Sequence, residues 1–126
     1  MFAKLFKSTR SDKSNDEPLR WIVLDVETTG LDPASDRLLA IAAIAVQVGV
    51  GLTKPTIVLG DSFEAVLKQD LASNRDNILV HHIGVGAQEG GRPAIEVLED
   101  FRTWVDNAPL LAFHAPFDMG MINRAY

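Results

Sequence analysis

The chain has 126 residues, and 47% of them are hydrophobic, so it can bury a real core within one domain. Its formal net charge of −5 excludes holding nucleic acid by bulk electrostatics and leaves only local contacts, through metal ions or a small patch. There is no cysteine, which excludes disulfides and thiolate metal sites and fits a reducing, cytoplasmic setting.

Residues 1–19 read as a flexible N-terminal tail and 20–126 as the folded part. Ser8 to Pro18 is polar and charged, too poor in apolar residues to pack. Phe2, Leu5 and Phe6 are the tail's only apolar cluster, the makings of a short amphipathic turn for a membrane surface or partner. The N-terminus has no continuous apolar run of the length of a secretory signal, and no run in the chain approaches a membrane span.

Arg20 to Thr28 is the first predicted strand, and Leu31-Asp32-Pro33 a turn. Arg37 to Gly49 is a long strand rich in Ile, Ala and Val; its weak alternation predicts burial on both faces. Lys54–Leu59 and Ser62–Leu67 are strand candidates, with Gly60-Asp61 as a hairpin turn between them. Gln69 to Asn77 is polar loop with a helical turn, Ile78 to Ile83 a short extended piece, and Gly84 to Gly91 a glycine-rich loop. Pro93 opens a helix whose Ile95, Leu98, Phe101, Trp104 and Val105 recur at helical spacing. Leu110 to His114 is a short strand, and a last helix begins near Pro116. Three antiparallel strands followed by helix, strand and helix predict an α/β fold with a mixed sheet.

The chemistry concentrates at two strand ends. Asp25 and Glu27 are two apart, so an extended strand points both to one face. Paired carboxylates there repel and lose hydration, and a hard divalent cation between them relieves both costs. Asp118 falls in the first turn of the last helix, where the positive helix end favours a carboxylate. If the Leu110 strand lies parallel to the first, all three carboxylates can meet at one sheet edge. Such a set suits Mg²⁺ or Mn²⁺, commonly as two ions about 3.5–4 Å apart for in-line displacement at phosphorus.

Asp25-Val26-Glu27-Thr28-Thr29-Gly30 resembles the first motif of the DEDD superfamily of 3′–5′ exonucleases, whose best-known branch is the proofreading epsilon subunit of bacterial DNA polymerase III. Phe113-His114-Ala115-Pro116-Phe117-Asp118 resembles the second motif. Val80-His81-His82-Ile83, Pro93 and the acidic helix after it match the intervening segment. The resemblance covers about residues 20–126. It implies a ribonuclease H-like sheet and release of nucleoside monophosphates from the single-stranded 3′ end of DNA or RNA. It also implies Mg²⁺ or Mn²⁺ on Asp25, Glu27 and Asp118, with Thr28, His114 and Phe117 near the terminal nucleotide. His81 would approach the phosphate and Asp76 the terminal sugar. A polymerase subunit or further domains of the same protein are the implied partners.

Some of these residues have plainer readings. His114 also reads as a strand-end residue bonded to backbone, Phe117 as core, and Asp76 as a solvated loop carboxylate. The family usually has His-Asn where this chain has Phe113-His114, and an acidic residue at Ala40. Its third motif, a His or Tyr base followed by a fourth Asp, lies beyond the stretch that ends at Tyr126. By that pattern this chain lacks the base and the fourth carboxylate, and on its own it is expected to be weak or inactive. The competing class is a non-catalytic module of the same fold that binds nucleic-acid ends or a polymerase. A haloacid dehalogenase-type phosphatase needs Asp-x-Asp, which Glu27 breaks.

Overall fold

The computed structural model describes residues 19–49 and 54–126. The expected tail and its Phe2, Leu5 and Phe6 turn lie outside the described residues, except for Leu19, which already belongs to the first strand.

Four strands form one mixed sheet. β1 (Leu19–Thr28), β2 (Leu38–Val48) and β3 (Thr56–Val66) are antiparallel neighbours, and β4 (Leu110–Leu111) runs parallel to β1. The order across the sheet is β3-β2-β1-β4. Four helices complete the described fold: α1 (Arg75–His81), α2 (Val85–Glu89), α3 (Ala94–Val105) and α4 (Ala115–Ala125).

The period of two along β1 separates its faces. Ile22, Leu24 and Val26 are buried, whereas Val23 and Asp25 are exposed. α3 and α4 cover the buried face. Val97, Leu98, Phe101 and Val105 from α3 and Met119, Met121 and Ile122 from α4 join Ile22, Leu24 and Ile41 in one core. Phe101 is fully buried. The expected helix stripe is rotated by part of a turn: Val97 is buried, and Ile95 is exposed.

Three expected elements differ. β3 is one strand, not two strands around a hairpin. Ile44 pairs with Ser62 and Ala45 with Val58, so Leu59, Gly60 and Asp61 bulge out of the ladder. The bulge aims Asp61 inward, where its carboxylate accepts both Arg20 Nε and Nη2, at 2.7 and 3.0 Å, and Trp104 Nε1 at 2.9 Å. The Arg20 guanidinium lies 4.9 Å from the Trp104 ring centroid. Ile78 to Ile83 is not extended, because α1 runs through it; the Asn74 side chain caps the helix by accepting the Asn77 N–H. The glycine-rich stretch contains the one-turn helix α2. β2 is buried on both faces only from Leu38 to Ile41; beyond, Ala42 is exposed.

Candidate active site

The second face of the sheet carries the acidic motif. Asp25 pairs with Ala42, which pairs with Glu64; Glu27 pairs with Ala40, which pairs with Val66. Two alanines between longer side chains hollow this face. A cavity of about 220 Å³ opens there, lined by Asp25, Glu27, Ala40, Ala42, Glu64 and His81 among others. Ala40, the departure from the family pattern, sits in this hollow directly opposite Glu27. Glu64 is a carboxylate that the sequence reading passed over. The alternation of Ser62, Glu64 and Val66 against Phe63, Ala65 and Leu67 would have placed it on the Asp25 face.

A rigid turn follows the motif. Thr28 Oγ1 donates to the Gly30 carbonyl at 2.6 Å, and Thr29 Oγ1 donates to Asp36 Oδ1 at 2.8 Å. Asp36 Oδ2 accepts the Asp32 N–H at 2.9 Å. Gly30 lies against that carboxylate so closely that a Cβ would run into it. A larger residue would push that carboxylate aside, at the expense of its bonds to Thr29 and Asp32.

Asp118 comes from the other flank of β1. β4 is followed at once by the N-terminus of α4, with His114 as N-cap and Pro116 in the first turn. This puts Asp118 against the Val26 backbone, only 5% exposed. Burial and then the Asp25 charge push its carboxyl above the ordinary carboxylate range, against the pull of its own and the Val26 N–H groups and of His114. Burial and then the Asp25 charge likewise raise Glu27, with His82 pulling it down. Asp25 thus presses on Glu27 from one side and on Asp118 from the other.

The carboxylates meet through Asp25 in pairs. Among the described residues no group of three His, Cys, Asp or Glu side chains is placed to hold a metal ion. Asp118 is not part of the cavity lining that Asp25 and Glu27 share. The donor set nevertheless fits a hard cation: it is all oxygen, and positive charge beside Asp25 would relieve the repulsion that raises both neighbours.

The other expected site residues are placed as follows. His114 is exposed, and its ring stacks on half-buried Phe117, with centroids 6.3 Å apart and planes at 28°. Phe117 also packs against the core, as its plainer reading expected. The Thr28 hydroxyl is spent on the turn. Asp76 stands exposed in the first turn of α1 and does not line the cavity. His81 lines the cavity but is itself buried, with both ring nitrogens engaged. His82, the C-cap of α1 with φ 62°, is the histidine whose charge acts on Glu27.

Residues 22–126 match the model of the RNase T exonuclease family. The DNA polymerase III PolC-type of Bacillus subtilis (strain 168) is 32% identical over 106 residues, covering 84% of this chain and 7% of that protein. The PolC-type polymerase of Listeria innocua is 34% identical over 110 residues, covering 87% of this chain and 7% of that one. This chain therefore spans only a small part of those relatives. E. coli Exonuclease I in complex with a dT13 oligonucleotide shares the fold, with a TM-score of 0.68 at 18% identity over 85% of this chain and 23% of that chain.

Proposed function

Since the chain belongs to the RNase T exonuclease family, we propose that it carries the first two acidic motifs of a metal-dependent 3′–5′ exonuclease, a cytoplasmic enzyme that releases nucleoside monophosphates from single-stranded 3′ ends. The observation that carries this reading is the position of Asp25 beside two partly or fully buried carboxylates, Glu27 from β1 and Asp118 from α4, both raised by burial and further by its charge. Asp25, Glu27 and Asp118 would hold Mg²⁺ or Mn²⁺. When bound, the metal supplies charge for displacement at phosphorus and activates the attacking water.

The chain's own residues bind and orient. The Gly30 turn fixes the backbone after Glu27, so the carboxylate does not have to be ordered when substrate arrives. The stacked His114 and Phe117 rings offer an aromatic platform to the terminal base, a contact that tolerates any base. DNA is the favoured substrate, because the relatives are DNA polymerases and the structural neighbour is a complex with an oligo-dT strand. A polymerase subunit or further domains of the same protein are the proposed partners. A non-catalytic end-binding module is the second reading, favoured by the absence, among the described residues, of a group of three such side chains placed to hold a metal ion.

The test is a 5′-labelled single-stranded oligonucleotide incubated with Mn²⁺, together with calorimetric binding of thymidine monophosphate in Mn²⁺. The reading expects nucleotide binding that needs the metal, and at most slow shortening from the 3′ end, as a chain without the third motif allows, with both lost in Asp25→Ala. Nucleotide binding that ignores EDTA and Asp25→Ala, without shortening, supports the second reading. Shortening that ignores both EDTA and the substitution sinks the first.

A further inference from the structure

A chain of polar side chains ties α1 to the end of β1. Asn77 Nδ2 donates to the Thr28 carbonyl at 3.0 Å, and Asn77 Oδ1 lies 2.6 Å from His81 Nε2. His81 Nδ1 accepts the Ile83 N–H at 2.9 Å. A backbone N–H can only donate, so Nδ1 bears no proton and the proton of the neutral ring is on Nε2. That proton faces Asn77 Oδ1, which leaves the Asn77 amide group, and not its oxygen, for the Thr28 carbonyl. Burial and then His82 lower the pKa of the His81 ring, in the direction of the neutral form.

The relay has a rigid base. Gln88 is fully buried. Its Oε1 accepts the Ser73 N–H at 2.8 Å, and its Nε2 donates to Ser73 Oγ at 2.9 Å and to the Ile83 carbonyl at 2.8 Å. The Gln88 carbonyl accepts the Gln69 N–H just beyond β3, at 2.8 Å. So the residue whose N–H sets the His81 tautomer is itself held by a buried glutamine anchored to the sheet.

The far end of the relay lands at a weak point. The β1–β2 ladder shifts register between Glu27 and Thr28: Glu27 pairs with Ala40, but Thr28 pairs with Leu38. Past the shift, β2 holds the Thr28–Thr29 peptide only by its N–H, which donates to the Arg37 carbonyl at 2.9 Å; Asn77 takes the carbonyl on the other side, one residue from the Glu27 side chain. We propose that Asn77 and His81 are positioning residues of the metal-binding end of β1, with His81 setting the Asn77 carboxamide and Asn77 holding the Thr28 carbonyl. This rests on the metal reading of Asp25 and Glu27. It gives His81 a role through Asn77 instead of a contact with the phosphate. The same geometry makes the tautomer part of the device: Nε2 lies 2.6 Å from Asn77 Oδ1 and 3.2 Å from Ser73 Oγ, and a proton on Nδ1 would face the Ile83 N–H and take the donor away from Asn77 Oδ1.

The test is calorimetric titration of Mn²⁺ into the wild type, Asn77→Asp, His81→Ala and His81→Gln, with a thermal melt of each. Asn77→Asp keeps the shape and the acceptor for His81 but removes the donor to Thr28. The relay expects Asn77→Asp and His81→Ala to bind Mn²⁺ about 10-fold more weakly. It expects His81→Gln, which retains one amide donor and one acceptor, to recover most of that loss. Variants that melt lower but bind Mn²⁺ as the wild type does overturn the relay and leave the proposed function standing. A wild type that binds no Mn²⁺ overturns the proposed function, and the relay with it. Nitrogen-15 spectra of the wild-type imidazoles need no variant: a His81 proton on Nε2 supports the relay, and one on Nδ1 overturns it.

Discussion

Asp61→Ala should destabilise the fold far more than removal of an ordinary surface aspartate. Asp61 lies on the β3 bulge and receives two bonds from Arg20 and one from Trp104. The ion pair is about one-third exposed on both sides (31% and 33%), so solvent screens it, and its share is about 1 kcal/mol. The Trp104 indole N–H loses a charged acceptor, a further ~1–1.5 kcal/mol. The sum is about 2 kcal/mol, against the roughly 0.5 kcal/mol typical of a surface change. Arg20 also donates to the Val105 carbonyl at 3.1 Å, so the loosened guanidinium should disturb the end of α3 as well. The assay is urea unfolding followed by Trp fluorescence, with Asp61→Asn beside Asp61→Ala; the amide keeps an acceptor for Trp104 and should retain about half of the effect. The pairing with Arg20 holds the Asp61 carboxyl below its ordinary range. The stability it contributes is therefore present above the unfolded carboxylate pKa and is lost as pH falls through the folded value. An Asp61→Ala loss of under about 0.5 kcal/mol at pH 7 would refute the bulge as a tie between β1, β3 and α3.

Other outcomes follow from the same contacts. Gly30→Ala drives a methyl group into the Asp36 carboxylate and should lower stability by about 1–3 kcal/mol in thermal unfolding; an unchanged midpoint contradicts the close approach. Metal-free protein should lose stability as pH rises above the unfolded carboxylate range through the folded values of Asp118 and Glu27. Both pKa values are raised, so the native state holds more protons than the unfolded chain in that window. Asp118→Asn should flatten this slope in melts across pH, and an unaltered slope speaks against the crowding. His82→Gly relieves a left-handed residue at φ 62° and should stabilise α1 by about 1 kcal/mol in chemical unfolding; a loss would mean that the attraction between His82 and Glu27 dominates.

The parts of the molecule that local pattern governs were legible in the sequence. β1 shows its faces by alternation, α3 its core face by spacing, and α4 its first-turn Asp118 from Pro116 and the preceding strand. The bulge at Gly60-Asp61 was not legible. The local sequence is that of a tight turn, and the partners that pull Asp61 inward, Arg20 and Trp104, lie 41 and 43 residues away. The Ile78 to Ile83 run looks extended by composition, yet it folds as a helix with Leu79 and Val80 exposed; the Asn74 cap and the bond from Asn77 to Thr28 outweigh β-propensity. The motif told that Asp25 and Glu27 share a face. It did not tell that Ala40 and Ala42 hollow that face, nor that Asn77 and Gln88 brace it, since those roles exist only once α1 is packed.

Paramagnetic broadening by Mn²⁺ tests the shared ion most directly. Substoichiometric Mn²⁺ added to nitrogen-15-labelled protein should broaden the amides of 25–28 and 117–119 at the same concentration, and Asp25→Asn should abolish both effects together. Broadening confined to one of the two segments, or surviving the substitution, would contradict a single ion held between β1 and α4.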